Sequence, residues 1–193
     1  DFSLAKNPNG AWTYGYGVLG SSFTPFDIGT RTQGAPFGST SDTLDYWHMS
    51  SSTWLMAGLV SGASAQWGGS VLLQPGAVVM CPETTVQSIV RWTASYSGTY
   101  HIQGRFSIAD AYPNSVTTLV YKGNAELFRA SLQGQGATSA GFGASQLYSG
   151  DVSLNAGDTV SFAVDSNGYM AYDTTALSAT ITLASQAPLE FAG

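Results

Sequence analysis

The chain has 193 residues, enough for one large domain that buries roughly two-thirds of its unfolded surface and needs no disulfide or metal staple. Only 9% of its residues are Asp, Glu, Lys or Arg, against about 25% in an ordinary soluble domain, while 44% are hydrophobic, which excludes disorder. The net charge of -6 with 6 scattered basic residues excludes a nucleic-acid footprint, and no apolar run is long enough to span a membrane as a helix.

The chain opens Asp1-Phe2-Ser3, without an initiator methionine, which reads as a mature secreted protein. Trp12, Tyr14 and Tyr16 alternate, so a strand here puts all three on one face. Ser21 to Ser41 is rich in Gly, Pro, Thr and Ser and reads as loops. Strands are predicted at Trp54 to Val60 and Gly69 to Leu73, with Pro75-Gly76 as a turn, and again at Ile89 to Ala94. Tyr100, Ile102, Gly104, Phe106 and Ile108 alternate with His101, Gln103, Arg105 and Ser107, a half-buried strand. Val116 to Tyr121 and Glu126 to Ala130 form a hairpin across Lys122-Gly123-Asn124. Gly134 to Gly143 is a small-residue loop. Val152 and Leu154 lead into the turn Asn155-Ala156-Gly157-Asp158. Val160, Phe162 and Val164 share one face before Asp165-Ser166-Asn167-Gly168 turns the chain, and Leu177, Ala179, Ile181 and Leu183 mark a last strand. Residues 185–193 read as an extended tail.

Helical periodicity is absent. Many short strands with close turns indicate an all-β protein, an antiparallel β-sandwich in one domain over residues 1–193.

Four motifs carry a resemblance. They are Asn7-Pro8-Asn9-Gly10-Ala11-Trp12-Thr13-Tyr14-Gly15-Tyr16, then Arg91-Trp92-Thr93-Ala94 with Gly98-Thr99-Tyr100, then Ala156 to Val164, and last Tyr172-Asp173-Thr174-Thr175. Together they resemble a bacterial extracellular domain family found in secreted and surface proteins, some with PEP-CTERM sorting tails, and similar to jelly-roll carbohydrate-binding modules. The resemblance implies a jelly-roll sandwich, an extracellular or cell-surface location and a glycan partner. The chain departs from the pattern in reading Leu73-Gln74-Pro75-Gly76 where relatives often read L-H-P-G, and in carrying no PEP-CTERM tail after Leu183.

Catalytic chemistry finds little to work with. His48 and His101 are the only histidines, there is no G-x-S-x-G elbow, and no carboxylate pair stands out for glycoside hydrolysis. One cysteine, Cys81, excludes an intrachain disulfide and reads either as a buried small hydrophobe or as a thiol pairing between chains. No cofactor is required. Asp165, Asn167 and Asp173 cluster in sequence and are the candidate ligands of a structural calcium ion, a hard cation that takes oxygen donors from irregular loops. Trp47, Trp54 and Trp67 in Ser/Gly-rich surroundings, with Tyr112, are the candidate aromatic platform for a sugar ring.

Two functions fit. One is a non-catalytic, carbohydrate-binding-module-like protein that contacts a glycan or matrix through exposed aromatics. The other is a self-assembling structural subunit, because strands such as Leu177 to Leu183 lack the charges that guard sheet edges, and either terminus could add a strand to a second copy.

Overall fold

Alternating apolar and polar residues form fifteen strands in the computed structural model, which describes residues 2–33, 43–61, 65–67, 70–138 and 140–186. No described residue is helical. In chain order the strands are β1 (Trp12–Val18), β2 (Ser22–Pro25), β3 (Ile28–Gln33), β4 (Thr43–Met49), β5 (Ser52–Ser61), β6 (Ala65–Trp67), β7 (Val71–Leu73) and β8 (Val78–Cys81). They continue with β9 (Gln87–Thr93), β10 (Gly98–Ile108), β11 (Val116–Lys122), β12 (Ala125–Leu132), β13 (Ser145–Leu154), β14 (Thr159–Asp165) and β15 (Thr175–Gln186).

Two antiparallel sheets face each other. One has the order β12-β11-β14-β9-β1-β2, the other β13-β10-β15-β8-β5-β4-β3, and β6 and β7 make a separate hairpin. The last eight strands pair in nested fashion: β11 with β12, β10 with β13, β9 with β14 and β8 with β15. A long hairpin folded over on itself in this way is the jelly-roll winding of a β-sandwich. The first five strands extend the two sheets, β1 beside β9 and β5 beside β8.

The core forms where the inward-facing sets meet. Tyr14, Val90, Phe162, Val164 and Val120 from one sheet pack against Leu55, Ile102, Phe106, Met80 and Leu177 from the other. The large side chains of the expected inward faces of β1, β10 and β14 are found there, with Leu177, Ala179 and Ile181 of β15, whereas Leu183 is 43% exposed. Trp92 also packs on this core, edge-on to Tyr100 at 5.1 Å between ring centroids.

Some segments differ from expectation. The stretch expected as loops carries β2 and β3, while residues 34–42 lie outside the described ones. The strand β8 was not legible because Val78, Val79, Met80 and Cys81 are continuously apolar; the strand lies between β5 and β15, with apolar clusters on both faces, and so shows no alternation. The charge-free strand β15 is paired on both sides only at its start: β10 runs along its length, whereas β8 meets only Thr175 to Leu177, so among the described residues Ser178 to Gln186 pairs with β10 alone. Of the expected tail, Ser185 and Gln186 belong to β15, and residues 187–193 lie outside the described ones.

The opening motif is structural. The Asn7 amide nitrogen donates to Tyr14 O at 2.6 Å and Phe26 O at 3.0 Å, and its carbonyl oxygen accepts from Tyr14 N at 2.9 Å. One side chain thus stands in for a missing strand neighbour and ties the N-terminal segment to β1. Phe2 follows it into the core, 4.8 Å from the Tyr14 ring. Gly15 is required by the close pairing of β2, since a Cβ there would lie 2.4 Å from Thr24 O. Asn7→Ala is expected to cost about 1–3 kcal/mol, because Tyr14 N and Phe26 O lose this partner together, while Tyr14 O keeps the Phe26 N–H at 3.0 Å. Urea unfolding measures it, and a loss below about 0.5 kcal/mol would show the amide to be dispensable.

Candidate functional site

One end of the sandwich carries a cavity of about 220 Å³. Four chain segments build it: Ser70 and Val71 at the start of β7, Cys81 and Pro82 at the end of β8, Asp110 just beyond β10, and Met170 to Thr174 before β15. Backbone bonds hold them together. Leu72 N donates to Ala109 O at 2.7 Å, Ala111 N to Ser70 O at 2.8 Å and Ala109 N to Thr174 O at 3.0 Å. Apolar residues of β5, β8 and β15 line the outer side of the second sheet, and Val71 and Cys81 of that cluster form the apolar part of the cavity wall.

Two carboxyls enter this cavity. Asp110 is 2% exposed; its Oδ1 accepts from Tyr112 N at 3.0 Å and its Oδ2 from Ser70 Oγ at 3.4 Å. Asp173 is 4% exposed, and its buried Oδ2 has no hydrogen-bond partner among the described residues. Burial first, and then the nearby Asp110 charge, push the Asp173 carboxyl up from 3.8 to about 8. A buried polar atom without a partner costs free energy, and such atoms are rare enough to mark sites that receive something else. Among the described residues no cationic side chain lines the cavity.

The rim is aromatic. Tyr172 is 49% exposed and Tyr112 72%, with their rings edge to face at 6.3 Å. Tyr169 and Met170 beside them are also exposed. Tyr172 sits at φ 61°, a left-handed conformation that a bulky side chain adopts at a cost of about 1–3 kcal/mol. Asn114 fastens the strained loop: its backbone N–H donates to Tyr172 O at 2.9 Å and its side chain to Tyr169 O at 3.4 Å.

The four platform candidates separate. Tyr112 stands exposed at the cavity rim, as just described. Trp47 is withdrawn: it lies 7% exposed in the main core, its indole N–H donating to Ser3 O at 2.9 Å, because it points from β4 toward the other sheet and clasps the N-terminal segment. Trp54 lies on β5 and Trp67 on β6, and their side chains are outside the described residues. The backbone register sets Trp67 opposite Val71, a cavity-wall residue.

The calcium candidates also separate. The Asp165 carboxylate accepts from Gln87 Nε2 at 2.9 Å and Asn167 N at 2.8 Å. Asn167 uses both ends of its amide, accepting from Thr117 Oγ1 at 2.7 Å and donating to Ser115 O at 3.1 Å. These two side chains close a turn, whereas Asp173 enters the end cavity with Asp110. Among the described residues no three acidic, histidine or cysteine side chains gather in a metal-holding group.

Sequence reasoning missed Asp110, Ser70, Tyr169 and Tyr172. The available signal was Tyr169-Met170-Ala171-Tyr172, three large side chains packed into a short turn region between strands. Cys81 is buried with a free thiol, its S–H directed at Thr174 Oγ1 at 3.6 Å, and burial raises its pKa well above the ordinary thiol value. His48 is buried too: Thr30 Oγ1 lies 2.9 Å from its Nε2, and Met49 O lies 2.9 Å from its Nδ1. The exposed His101 pairs with Asp151 at 2.6 Å on the outer face of the second sheet.

No protein-family model matches the chain, and no curated protein matches it. The resemblance of the N-P-N-G stretch therefore rests on its own motifs. Among solved structures, CBM51 from Clostridium perfringens GH95, determined with methyl-galactose, is 14% identical, with 71% of this chain and 99% of that one covered and a TM-score of 0.39. The tandem CBM51 modules of the family 98 glycoside hydrolase from Streptococcus pneumoniae are 10% identical, with 92% of this chain and 50% of that one covered and a TM-score of 0.42. CBM35 from Paenibacillus barcinonensis is 9% identical, with 91% of this chain and 100% of that one covered and a TM-score of 0.34. These likenesses are distant, and the fold rests on the strand order above.

Proposed function

We propose that the protein is a non-catalytic, extracellular glycan-binding module whose contact site is the cavity at the end of the sandwich. The observation that carries this reading is the orphaned Asp173 Oδ2 in a cavity that the exposed Tyr172 also lines, with the exposed Tyr112 ring 6.3 Å from that of Tyr172. A sugar ring offers both kinds of group such a site can use. Its hydroxyls donate to a buried carboxyl, and its C–H face covers an aromatic ring. At about 220 Å³ the cavity is smaller than the roughly 300–1,000 Å³ of pockets for drug-sized ligands, which suits a single sugar ring.

A carboxyl pair with one raised pKa also occurs in glycosidases, which need room for two sugar units and a free second carboxylate. Here both Asp110 oxygens already accept from Tyr112 N and Ser70 Oγ, which favours holding a ring over cleaving a bond. The assembly alternative has less support. The N-terminal segment, one of the two termini that could add a strand to a second copy, is committed to its own core through Asn7 and Phe2.

The test is a glycan array probed with the full chain, followed by titration of the hits. Tyr112→Ala is expected to weaken binding about tenfold, the worth of one stacked aromatic contact, with unchanged thermal unfolding. Release of reducing sugar from a bound glycan would overturn the non-catalytic part of the reading. Absence of any glycan binding by a monomer would overturn the whole of it.

A further inference from the structure

We propose that the sugar taken by the end cavity carries a protonated primary amine, so that the ligand class is an amino sugar with a free ammonium group. The inference rests on the glycan-binding reading and deepens it.

Charge and hydrogen-bonding capacity both point this way. Asp110 and Asp173 are each buried and enter one small cavity, with no Lys, Arg or His among the described residues that line it. With no cation at hand burial keeps the proton on Asp173, and an arriving ammonium would displace that proton and pair with the carboxylate. The unmet demand is directional as well. Asp173 Oδ2 lacks a donor, whereas the Asp110 oxygens already have Tyr112 N and Ser70 Oγ. An ammonium supplies three donors and a positive charge in one compact group. A hydroxyl supplies one donor and no charge, so it leaves the second acid uncompensated.

The rim adds to this selection. Tyr112 and Tyr172 stand edge to face at the mouth, and ring faces attract a cation within about 6 Å. The same set disfavours the other charged sugars, because the carboxylate of a uronic acid or the sulfate of a sulfated glycan would meet two acids and no base. A divalent metal fits poorly. Calcium takes 6–8 oxygen ligands, and Val71, Cys81, Pro82, Met170 and Ala171 fill much of the wall.

The experiment is calorimetric titration of the full chain, at about pH 6 and with chelator present, against three trimers of one linkage: cellotriose, its fully N-acetylated 2-amino analogue and its free 2-amino analogue. The free amine is charged at that pH, as an α-amino group is. The amino trimer is expected to bind at least tenfold more tightly than the other two. Asp173→Asn is expected to abolish that preference while keeping the weaker affinity for cellotriose. Tyr172→Ala is expected to weaken all three, and thermal unfolding of each variant checks the fold.

Equal affinity for the three trimers, or preference for the acetylated one, would overturn the amine inference and leave the glycan reading standing. Retention of the preference in Asp173→Asn would also overturn it, because the net charge of -6 would then be attracting the amine without this site. Binding that disappears with chelator and returns with calcium would overturn it in favour of a metal-bridged ligand. No binding of any trimer, together with a silent glycan array, would overturn both readings.

Discussion

Replacing Phe162 with alanine is expected to remove about 3–5 kcal/mol of folding stability, a large part of the 5–15 kcal/mol that an ordinary domain possesses. Phe162 is fully buried at the centre of β14, in register with Val90 of β9 on one side and Val120 of β11 on the other. Its ring crosses the gap between the sheets to within 6.3 Å of the Phe106 ring. The space it occupies exists because position 104 of β10 has no side chain: a Cβ on Gly104 would lie 2.6 Å from the Phe162 ring. Gly104→Ala alone is therefore expected to cost about 1–3 kcal/mol by overpacking. The double variant is expected to be more stable than the sum of the two single losses allows, because the new methyl enters the volume that the ring has left. Urea unfolding of the four proteins at constant m-value measures the cycle, and strict additivity would show that the two positions do not share that space.

The second large effect concerns pH. The Asp173 carboxyl stands near 8 in the folded protein against 3.8 as an ordinary value. Between about pH 4 and pH 8 the folded state therefore holds one proton more than the unfolded state, and stability falls as pH rises across that window. Each pKa unit corresponds to about 1.4 kcal/mol, so this one group is expected to cost several kcal/mol once the pH exceeds its folded value. Asp173→Asn keeps the shape and removes the charge. It is expected to unfold at a higher temperature than the parent at about pH 9, to differ little at about pH 4, and to show a flatter profile between the two. Parallel profiles for parent and variant from pH 4 to 9 would show that the buried carboxyl is not the source. A group that destabilises its own fold at alkaline pH, next to a tyrosine held at positive φ, is the kind of cost that binding sites carry.

The sandwich was largely legible before any coordinates, for a physical reason. Side chains on a strand alternate between faces, so Tyr100, Ile102, Phe106 and Ile108 announce an inward face wherever the strand ends up. Turns were legible because Gly123, Gly157 and Gly168 take positive φ where other residues resist it. Legibility failed where alternation fails. The strand β8 is apolar throughout because it is enclosed, and β3 is mostly polar because it is an outermost strand bonded only to β4.

The site was legible only in fragments. Tyr112 and Asp173 were both named from the sequence, but for different purposes, a stacking platform and a calcium ion. They share one end of the molecule because β10 and β15 are antiparallel neighbours, which sets the residues after Ile108 beside those before Thr175. The same geometry brings Asp110 to Asp173 and adds to the cost of ionising Asp173. Trp47 shows the converse case: its Ser-rich neighbourhood suggested exposure, and its position facing the other sheet buried it.

The sequence by itself determined the class of the fold, most of the strands and the near absence of charged surface, since these depend on period, turn chemistry and composition, all local along the chain. The tertiary structure decided which strands became edges, which aromatics stayed in water, and which two acids met in one cavity. Those outcomes depend on pairings between segments tens of residues apart, and nothing in the neighbourhood of Asp110 or Asp173 encodes the other.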